Sequence, residues 1–441
     1  MKQGCDIVIL GLSVTSSWGN GHATTYRSLI RGLAARGHRV LFLERDAEWY
    51  AGNRDEPHPT GAVTELYGSF DDLIARFERA VADASLVIVG SFVPEGIRVG
   101  EWVLSVANGV RAFYDIDTPL TLDTLAAGTG DYIRPELVRQ YDLYLSFTGG
   151  PVLRLIESRY GSPIARALYC SVDPELYRPL VRPQRWDLGY MGTYSDDRQP
   201  GLDQLLLEPA RQWREGRFAV VGPKYPKGLH WPANVAREIH LSPREHPAFY
   251  GSQRFTLNIT RDAMKRSGYS PSVRLFEAGA CGVPIISDWW EGLDSLFHLG
   301  REILISCGPE ETLRFLRDFS DGARLAVGEA ARRRILAEHT PLQRAIQLER
   351  YWKEADDNLS SHPARRNRRS RQIADGVDAG MAFESPRRET GGEVGGEAVA
   401  SSDSRRLHEP AGTGDGDRYA DRTAARSIAE TAAGAGRIAN G

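Results

Sequence analysis

The chain has little of what builds membrane, secreted or metal-centred proteins. No apolar run approaches the roughly 20 residues of a membrane-spanning helix. The short run Ile7 to Leu10 has no signal-peptide core before it. Neither an integral membrane protein nor one secreted by the usual route is expected, and membrane contact is at most peripheral. Only 4 cysteines occur in 441 residues, Cys5, Cys170, Cys281 and Cys307. They are scattered, without paired zinc spacing, so buried free thiols and a cytoplasmic location are expected. An excess of one charge is also missing: 55 basic against 58 acidic residues give a net charge of -3, no reason to expect a nucleic-acid partner. What is present is ordinary for a soluble globular protein, 41% hydrophobic and 26% charged residues, in a chain long enough for two domains.

Short apolar runs alternate with amphipathic helices from Asp6 onward. The first set is Ile7 to Leu10, Val40 to Leu43, Leu86 to Val89, Ala112 to Ile116, Leu143 to Phe147 and Ala167 to Tyr169. A helix from about Ala23 to Arg36 keeps Tyr26, Leu29, Ile30, Leu33 and Ala34 on one stripe. The second set is Leu188 to Gly192, Phe218 to Gly222, Arg237 to Leu241, Phe255 to Ile259, Val283 to Ile286 and Glu302 to Ser306. Three prolines in YRPLVRPQRW, residues 177 to 186, punctuate the join. The pattern predicts an α/β protein: two Rossmann-like, doubly wound parallel-sheet domains whose strand ends face an interdomain cleft.

The densest signal is SPSVRLFEAGACGVPIISDWWEGL, residues 270 to 293. Ser270 as N-cap, Pro271 in the first helical position and Gly282 as terminator predict a helix followed by a buried strand. Glu277 then lies in the second turn, behind free N–H groups and a positive dipole end that favour phosphate. A carboxylate there can accept hydrogen bonds from sugar hydroxyls, which outlines a nucleotide-sugar site.

At these residues the chain resembles the retaining family-four glycosyltransferases of the GT-B fold, most closely the CgeB-like branch named after a spore protein. The family phrase, a glutamate followed by alanine, a small residue, Gly, x, Pro and a buried strand, is matched by FEAGACGVPIIS. The resemblance implies that Glu277 binds the donor's ribose. A second family glutamate, eight positions earlier against the donor sugar, is replaced here by Tyr269, which leaves retention or inversion open. SVDPELYRP, residues 171 to 179, resembles the phrase that closes the family's first domain; Asp173 is read there as a structural turn residue. Arg198 stands at the family's basic position against the donor diphosphate, and its planar fork suits phosphate oxygens. The alternative for Arg198 is an ion pair with Asp196 or Asp197. Arg261 and Lys265, after the strand FTLNI, are further diphosphate candidates or else loop charges. Tyr269, Ser270 and Ser272 complete the donor-binding set.

On the acceptor side, SSWGNGHATT brings Gly19, Gly21 and His22 to the start of the first helix, where the dipole favours a neutral, proton-accepting imidazole. Asp115 and Asp117 lie at the mouth of a buried strand and could orient an acceptor hydroxyl or take its proton. Gly149 and Gly150 end another strand and line the cleft. His22, Asp115 and Asp117 are the catalytic candidates. No metal and no cofactor is expected beyond the nucleotide sugar itself.

The expected organisation is an acceptor domain over 1–182, a donor domain over 183–339, a helix over 340–357 crossing back to the first domain, and a disordered tail over 358–441. The tail includes an arginine cluster at 365–371. The expected activity is hexosyl transfer from a nucleotide-diphosphate sugar to a glycan, lipid or protein acceptor. Two alternatives stand beside it. One is a non-catalytic nucleotide-sugar-binding or assembly module. The other, weaker, is a dinucleotide oxidoreductase suggested by Gly19, Gly21 and Glu44.

Overall fold

The structure, a computed structural model, describes residues 5–18 and 21–361. Gly19 and residues 362–441, with the arginine cluster and most of the expected tail, lie outside the described residues.

The first sheet contains seven parallel strands: β1 Ile7–Gly11, β2 Val40–Arg45, β3 Ala62–Tyr67, β4 Leu86–Gly90, β5 Val110–Asp115, β6 Leu143–Ser146 and β7 Ala165–Ala167, in the order β3-β2-β1-β4-β5-β6-β7. Ile7 pairs with Val40 on one side and Leu86 on the other. The residues of β1 and β4 are all buried, as continuous apolar runs between two helical layers must be. β3 was not anticipated. Its sequence AVTELY sets the polar Thr64 and Glu65 side by side and leaves Val63 exposed, so it shows no continuous apolar run, and it lies at the sheet's edge. β7 ends two residues earlier than expected: Leu168 still bonds to the Ser146 carbonyl, but Tyr169 has left the sheet, its carbonyl accepting from Arg344.

The second sheet has six parallel strands: β8 Trp186–Met191, β9 Phe218–Val221, β10 Val235–Glu238, β11 Gln253–Asn258, β12 Ile285–Ser287 and β13 Leu304–Ile305, in the order β10-β9-β8-β11-β12-β13. β10 starts and ends earlier than the run Arg237 to Leu241. Its partner β9 stops at Val221, where Gly222 turns away at φ +148° beneath the Gly192 carbonyl, so residues beyond Glu238 have nothing to pair with.

In each sheet the strand order reverses once, between β1 and β4 and between β8 and β11. At such a switch the loops leave to opposite faces and open a crevice at the strands' carboxyl ends. The candidate site described below is built around these two crevices and the seam between them.

A last helix, Pro341–Ser361, is opened by Thr340 and Pro341 as the sequence predicts, and it runs seven residues beyond Glu354. It packs on the first-domain helix His22–Ala35 so closely that a Cβ on Gly32 would lie 2.0 Å from the Pro341 carbonyl oxygen. Ala345, Leu348, Tyr351 and Ala355 join the core beneath β1 and β2. Where the chain crosses between domains, Val172 N–H donates to the His339 carbonyl, and the buried Arg344 guanidinium donates to the carbonyls of Tyr169, Cys170 and Glu338. The crossing is thus two antiparallel passes of chain tied by one arginine, in addition to the proline-rich stretch at 177–186. All four cysteines are free; Cys170 and Cys281 are buried, Cys5 is half-buried, and Cys307 is exposed, against the expectation for it.

Candidate active site

The helix carrying Glu277 is Val273–Ala280. It starts two residues later than the sequence suggested, at Val273 instead of Pro271. Ser270, ahead of a proline, is driven to an extended conformation. Ser272 is the N-cap residue, with ψ 148° and no side-chain capping bond. Its hydroxyl instead donates to Asn258 Oδ1 at 2.8 Å, at the end of β11, and Arg274 Nη1 reaches the same oxygen at 3.3 Å. Ser270 is buried against the first domain, accepting from the Thr148 hydroxyl at 3.1 Å. The helix terminus is therefore free of side-chain caps, but Pro271 and Ser270 do not belong to it.

Glu277 is buried, 6% exposed. Tyr250 donates its hydroxyl to Oε2 at 3.3 Å, His246 Nδ1 lies 3.8 Å from the same oxygen, and the Tyr177 hydroxyl contacts His246 at 3.3 Å. Burial, with the carboxylate second, pushes both tyrosine hydroxyls well above their ordinary value, so they stay protonated donors. Tyr250 and His246 were not singled out from sequence, and Tyr177 stood out only as part of the SVDPELYRP phrase.

Arg198 follows β8 and is 7% exposed. It makes no ion pair among the described residues: Asp196 accepts from Tyr194, and Asp197 accepts from the Asp262 amide. Its guanidinium instead donates to Ser195 Oγ at 2.9 Å and to the Thr193 carbonyl. Burial lowers its pKa, and the positive fields of Arg274 and Arg261 lower it further, while Tyr190 and Asp197 act in the opposite sense. Three guanidinium groups thus gather at the β8/β11 switch, Arg198 buried, Arg274 half-buried and Arg261 exposed; none makes an ion pair among the described residues, and the one carboxylate whose field reaches Arg198 and Arg261 is that of Asp197. Arg274 was missed in the sequence because it lies inside the apolar helix motif; its place in the first turn, two residues past the N-cap, was the available signal. Lys265 is not part of this group, since its ammonium pairs with Asp288 at 2.7 Å.

In the first domain the structure separates the two aspartates. Asp115 is fully buried and accepts from Thr121 and from Tyr144, each at 2.6 Å. Burial pushes its carboxyl up to about 6 against those hydrogen bonds. It is enclosed beneath the cleft floor and cannot face an acceptor. Asp117 is the partly exposed one, and its Oδ2 lies 2.8 Å from His22 Nε2. His22 is the first residue of its helix, behind Gly21, which provides no side-chain cap. The imidazole is 6% exposed and its Nδ1 finds no partner among the described residues.

The two domains meet at Tyr269. Its φ is +44°, its carbonyl accepts from Gly149 N–H at 2.9 Å, and its N–H donates to the Glu291 carbonyl at 2.6 Å. The ring lies between Gly150 and Gly292, where a Cβ on either glycine would come within 2.3 Å of it. Gly150 therefore makes room for the Tyr269 ring, while Gly149 donates to the Tyr269 carbonyl and makes room for the Tyr169 hydroxyl; both belong to the seam and not to an open cleft lining. Asp173 has the structural role expected of it, accepting from Glu175 N–H and pairing with Arg31.

Glu44 settles one alternative. It is fully buried at the end of β2, and its carboxylate accepts from the Val14 and Thr15 amides and the Ser13 and Thr15 hydroxyls. A carboxylate saturated in this way fixes the loop after β1 and has no capacity left for the ribose of a dinucleotide.

Residues 198–350 match the family model described as glycosyl transferase-like. No curated protein sequence matches the chain. Among solved structures, sucrose-phosphate synthase from Thermosynechococcus elongatus is similar at 15% identity and TM-score 0.60, over 80% of this chain and 100% of that one. Anabaena HepE in complex with UDP and glucose is similar at 13% identity and TM-score 0.58, over 81% and 100%. An alpha-glucosyltransferase in complex with UDP and a 13-mer DNA is similar at 12% identity and TM-score 0.59, over 79% and 100%. At these identities the structural likeness shows the fold, which is GT-B. The family match is confined to residues 198–350, so the glycosyl transferase-like character is that of the arginine-bearing domain and the start of the last helix.

Proposed function

We propose that the protein transfers a sugar from a nucleotide-diphosphate donor to an acceptor hydroxyl, with arginines in place of a metal to neutralise the diphosphate. One observation carries this reading: Arg198, buried and without an ion pair, shares its crevice with Arg261 and Arg274 at the uncapped start of the 273–280 helix. Like charges held together in a partly dry site are costly unless an anion completes them. A diphosphate does so, and the same charges stabilise it as it departs. That two of the fold relatives are complexes containing UDP supports a nucleotide ligand of this kind.

Glu277 holds the donor's ribose in this reading, with Tyr250 and His246 orienting its carboxylate. His22, turned by Asp117, takes the proton of the acceptor hydroxyl as the nucleophile attacks. Asp115 has no direct part. Tyr269 sits where the family places a glutamate, and we read it as a wall of the donor-sugar pocket at the seam. The FEAGACGVPIIS phrase keeps the CgeB-like branch as our finer assignment. No described helix is long and apolar enough to cross a membrane, and we place the enzyme in the cytoplasm on its free cysteines. The acceptor we assign is a glycan, lipid or protein hydroxyl.

The test is binding and turnover with UDP, GDP, ADP and TDP sugars. One nucleotide series is expected to raise the melting temperature and, with an acceptor or water, to release its diphosphate. Binding without release, under every acceptor offered, favours the non-catalytic module; no binding at all refutes the donor site.

A further inference from the structure

The loop after β4, residues 91–95, lies on the acceptor side of the first sheet's switch point and carries two non-glycine residues with left-handed backbone, Phe92 at φ +58° and Glu95 at φ +55°. Bulky side chains adopt that conformation at a cost, and its persistence marks a place where the surroundings dictate the backbone. Here the surroundings are plain. Glu95 is tied to Arg45 at 3.2 Å and to Arg98 at 3.3 Å. The Ser91 hydroxyl donates to Asp117 Oδ2 at 3.3 Å and accepts from the Ile116 amide at 3.1 Å. The Phe92 ring stands edge-on to the His22 imidazole, centroids 6.0 Å apart, and leans on the Tyr132 ring at 4.6 Å. Tyr132 is held in turn by a 2.8 Å contact between its hydroxyl and Thr121, which bonds to Asp115; Asp115 accepts from the Asp117 amide at 3.2 Å. The path from His22 through Phe92, Tyr132, Thr121, Asp115 and Asp117 returns to His22 and closes around its imidazole.

We infer that Ser91 and Phe92 are positioning residues that hold His22 in one orientation and one tautomer, Nε2–H toward Asp117, leaving Nδ1 bare to accept a proton. This rests on the base role given to His22 above. Ser91 fixes the carboxylate that receives the Nε2 proton. Phe92 blocks the ring flip that would carry Nε2 away from Asp117 and put Cε1 in its place, and the left-handed backbone at 92 is the conformation in which its ring stands against the imidazole. A glycine would be the easier residue for that backbone, so a phenylalanine there is explained by its ring. Buried Asp115, without a direct part in the chemistry, becomes the keystone of the same circuit.

The experiment is histidine-selective NMR on the full-length protein without any ligand, with the His22 signal assigned by its loss in His22→Gln. The parent is expected to show one narrow His22 resonance in the Nε2–H tautomer. Phe92→Ala and Phe92→Gly should both broaden or split it into two tautomers, Phe92→Tyr should restore it, and Ser91→Ala should give an intermediate spectrum. Phe92→Gly is also expected to melt above Phe92→Ala, because both lose the ring's packing but only glycine relieves the φ of +58°. That separates lost positioning from lost folding. A parental His22 signal in Phe92→Gly overturns the inference, as does a broadened one in Phe92→Tyr. Failure of the base role would be read separately, as undiminished sugar transfer by His22→Gln, and would leave these spectra unchanged.

Discussion

Replacing Arg198 with methionine separates a binding arginine from a structural one. Methionine keeps the length and the buried volume but removes the charge and both guanidinium hydrogen bonds, to Ser195 Oγ and the Thr193 carbonyl. Those two bonds contribute about 1 kcal/mol each. Against that loss, removing a buried cation that lacks an ionic partner and feels Arg274 and Arg261 is neutral to stabilising by about 1–4 kcal/mol. The two effects nearly cancel, and stability without ligand should stay within about 1 kcal/mol of the parent. Binding behaves differently. A hydrogen bond to a charged phosphate oxygen contributes about 1.5–3 kcal/mol, so the Kd for the preferred nucleoside diphosphate should rise roughly 10- to 150-fold. Isothermal titration calorimetry with UDP, GDP, ADP and TDP, alongside thermal melting without ligand, measures both quantities. A variant that melts like the parent and binds equally well would refute the placement of the diphosphate. A variant that unfolds would show that Arg198 is a pin for the 193–198 loop.

Three further outcomes are expected. Gly32→Ala should destabilise the protein by about 1–3 kcal/mol, because its methyl meets the Pro341 carbonyl oxygen at 2.0 Å; a denaturant midpoint equal to the parent's would mean that the 341–361 helix gives way freely. Between pH 6.5 and 4 two buried groups pull stability in opposite directions. His339, pushed down to about 3 by burial and by Arg344 and Arg334, takes its proton first in the unfolded chain, so stability is lost as pH falls from the ordinary imidazole value. Asp115, raised to about 6 by burial, takes its proton first in the folded chain; its contribution is complete below the ordinary carboxylate value and is lost as pH rises through 6. Asp115→Asn should therefore steepen the acid loss in this window, and identical pH slopes in urea titrations would contradict the assignment. Finally, a chain ending at Ser361 should melt like the full-length protein, whereas one ending at Asp357 should melt lower, because it loses Leu359 from the core cluster beneath the last helix; equal melting of the two shortened chains would show that this turn adds nothing.

Much of the fold is legible in the sequence because parallel strands buried on both faces read as continuous apolar runs, and eleven of the thirteen strands coincide or overlap with such a run by two residues or more. β3 escapes because AVTELY holds no continuous apolar run, and β7 is displaced because its strongest apolar residues, Leu168 and Tyr169, belong to the domain crossing. The site is legible in part. Glu277, Arg198 and His22 were visible because helix starts and strand ends announce themselves through glycine, proline and capping residues. What stayed hidden depends on distant chain segments meeting: Tyr250 and His246 on Glu277, Asn258 drawing both Ser272 and Arg274, and Gly150 and Gly292 enclosing Tyr269. The two aspartates show the limit most clearly. Alternation along a strand would put residues two apart on one face, but β5 ends at Asp115 and Asp117 is already the N-cap residue of the helix Thr118–Ala127, so only the packed structure says that Asp115 is locked to Thr121 and Tyr144 and that Asp117 is the one at His22.

The most direct test of the donor site is a crystal structure of the full-length protein with whichever nucleoside diphosphate of the four binds most tightly. The diphosphate is expected between Arg198, Arg261, Arg274 and the start of the 273–280 helix, with the ribose hydroxyls on Glu277. A nucleotide bound at the β1/β4 switch of the first domain, or in the second domain away from these arginines, would contradict it.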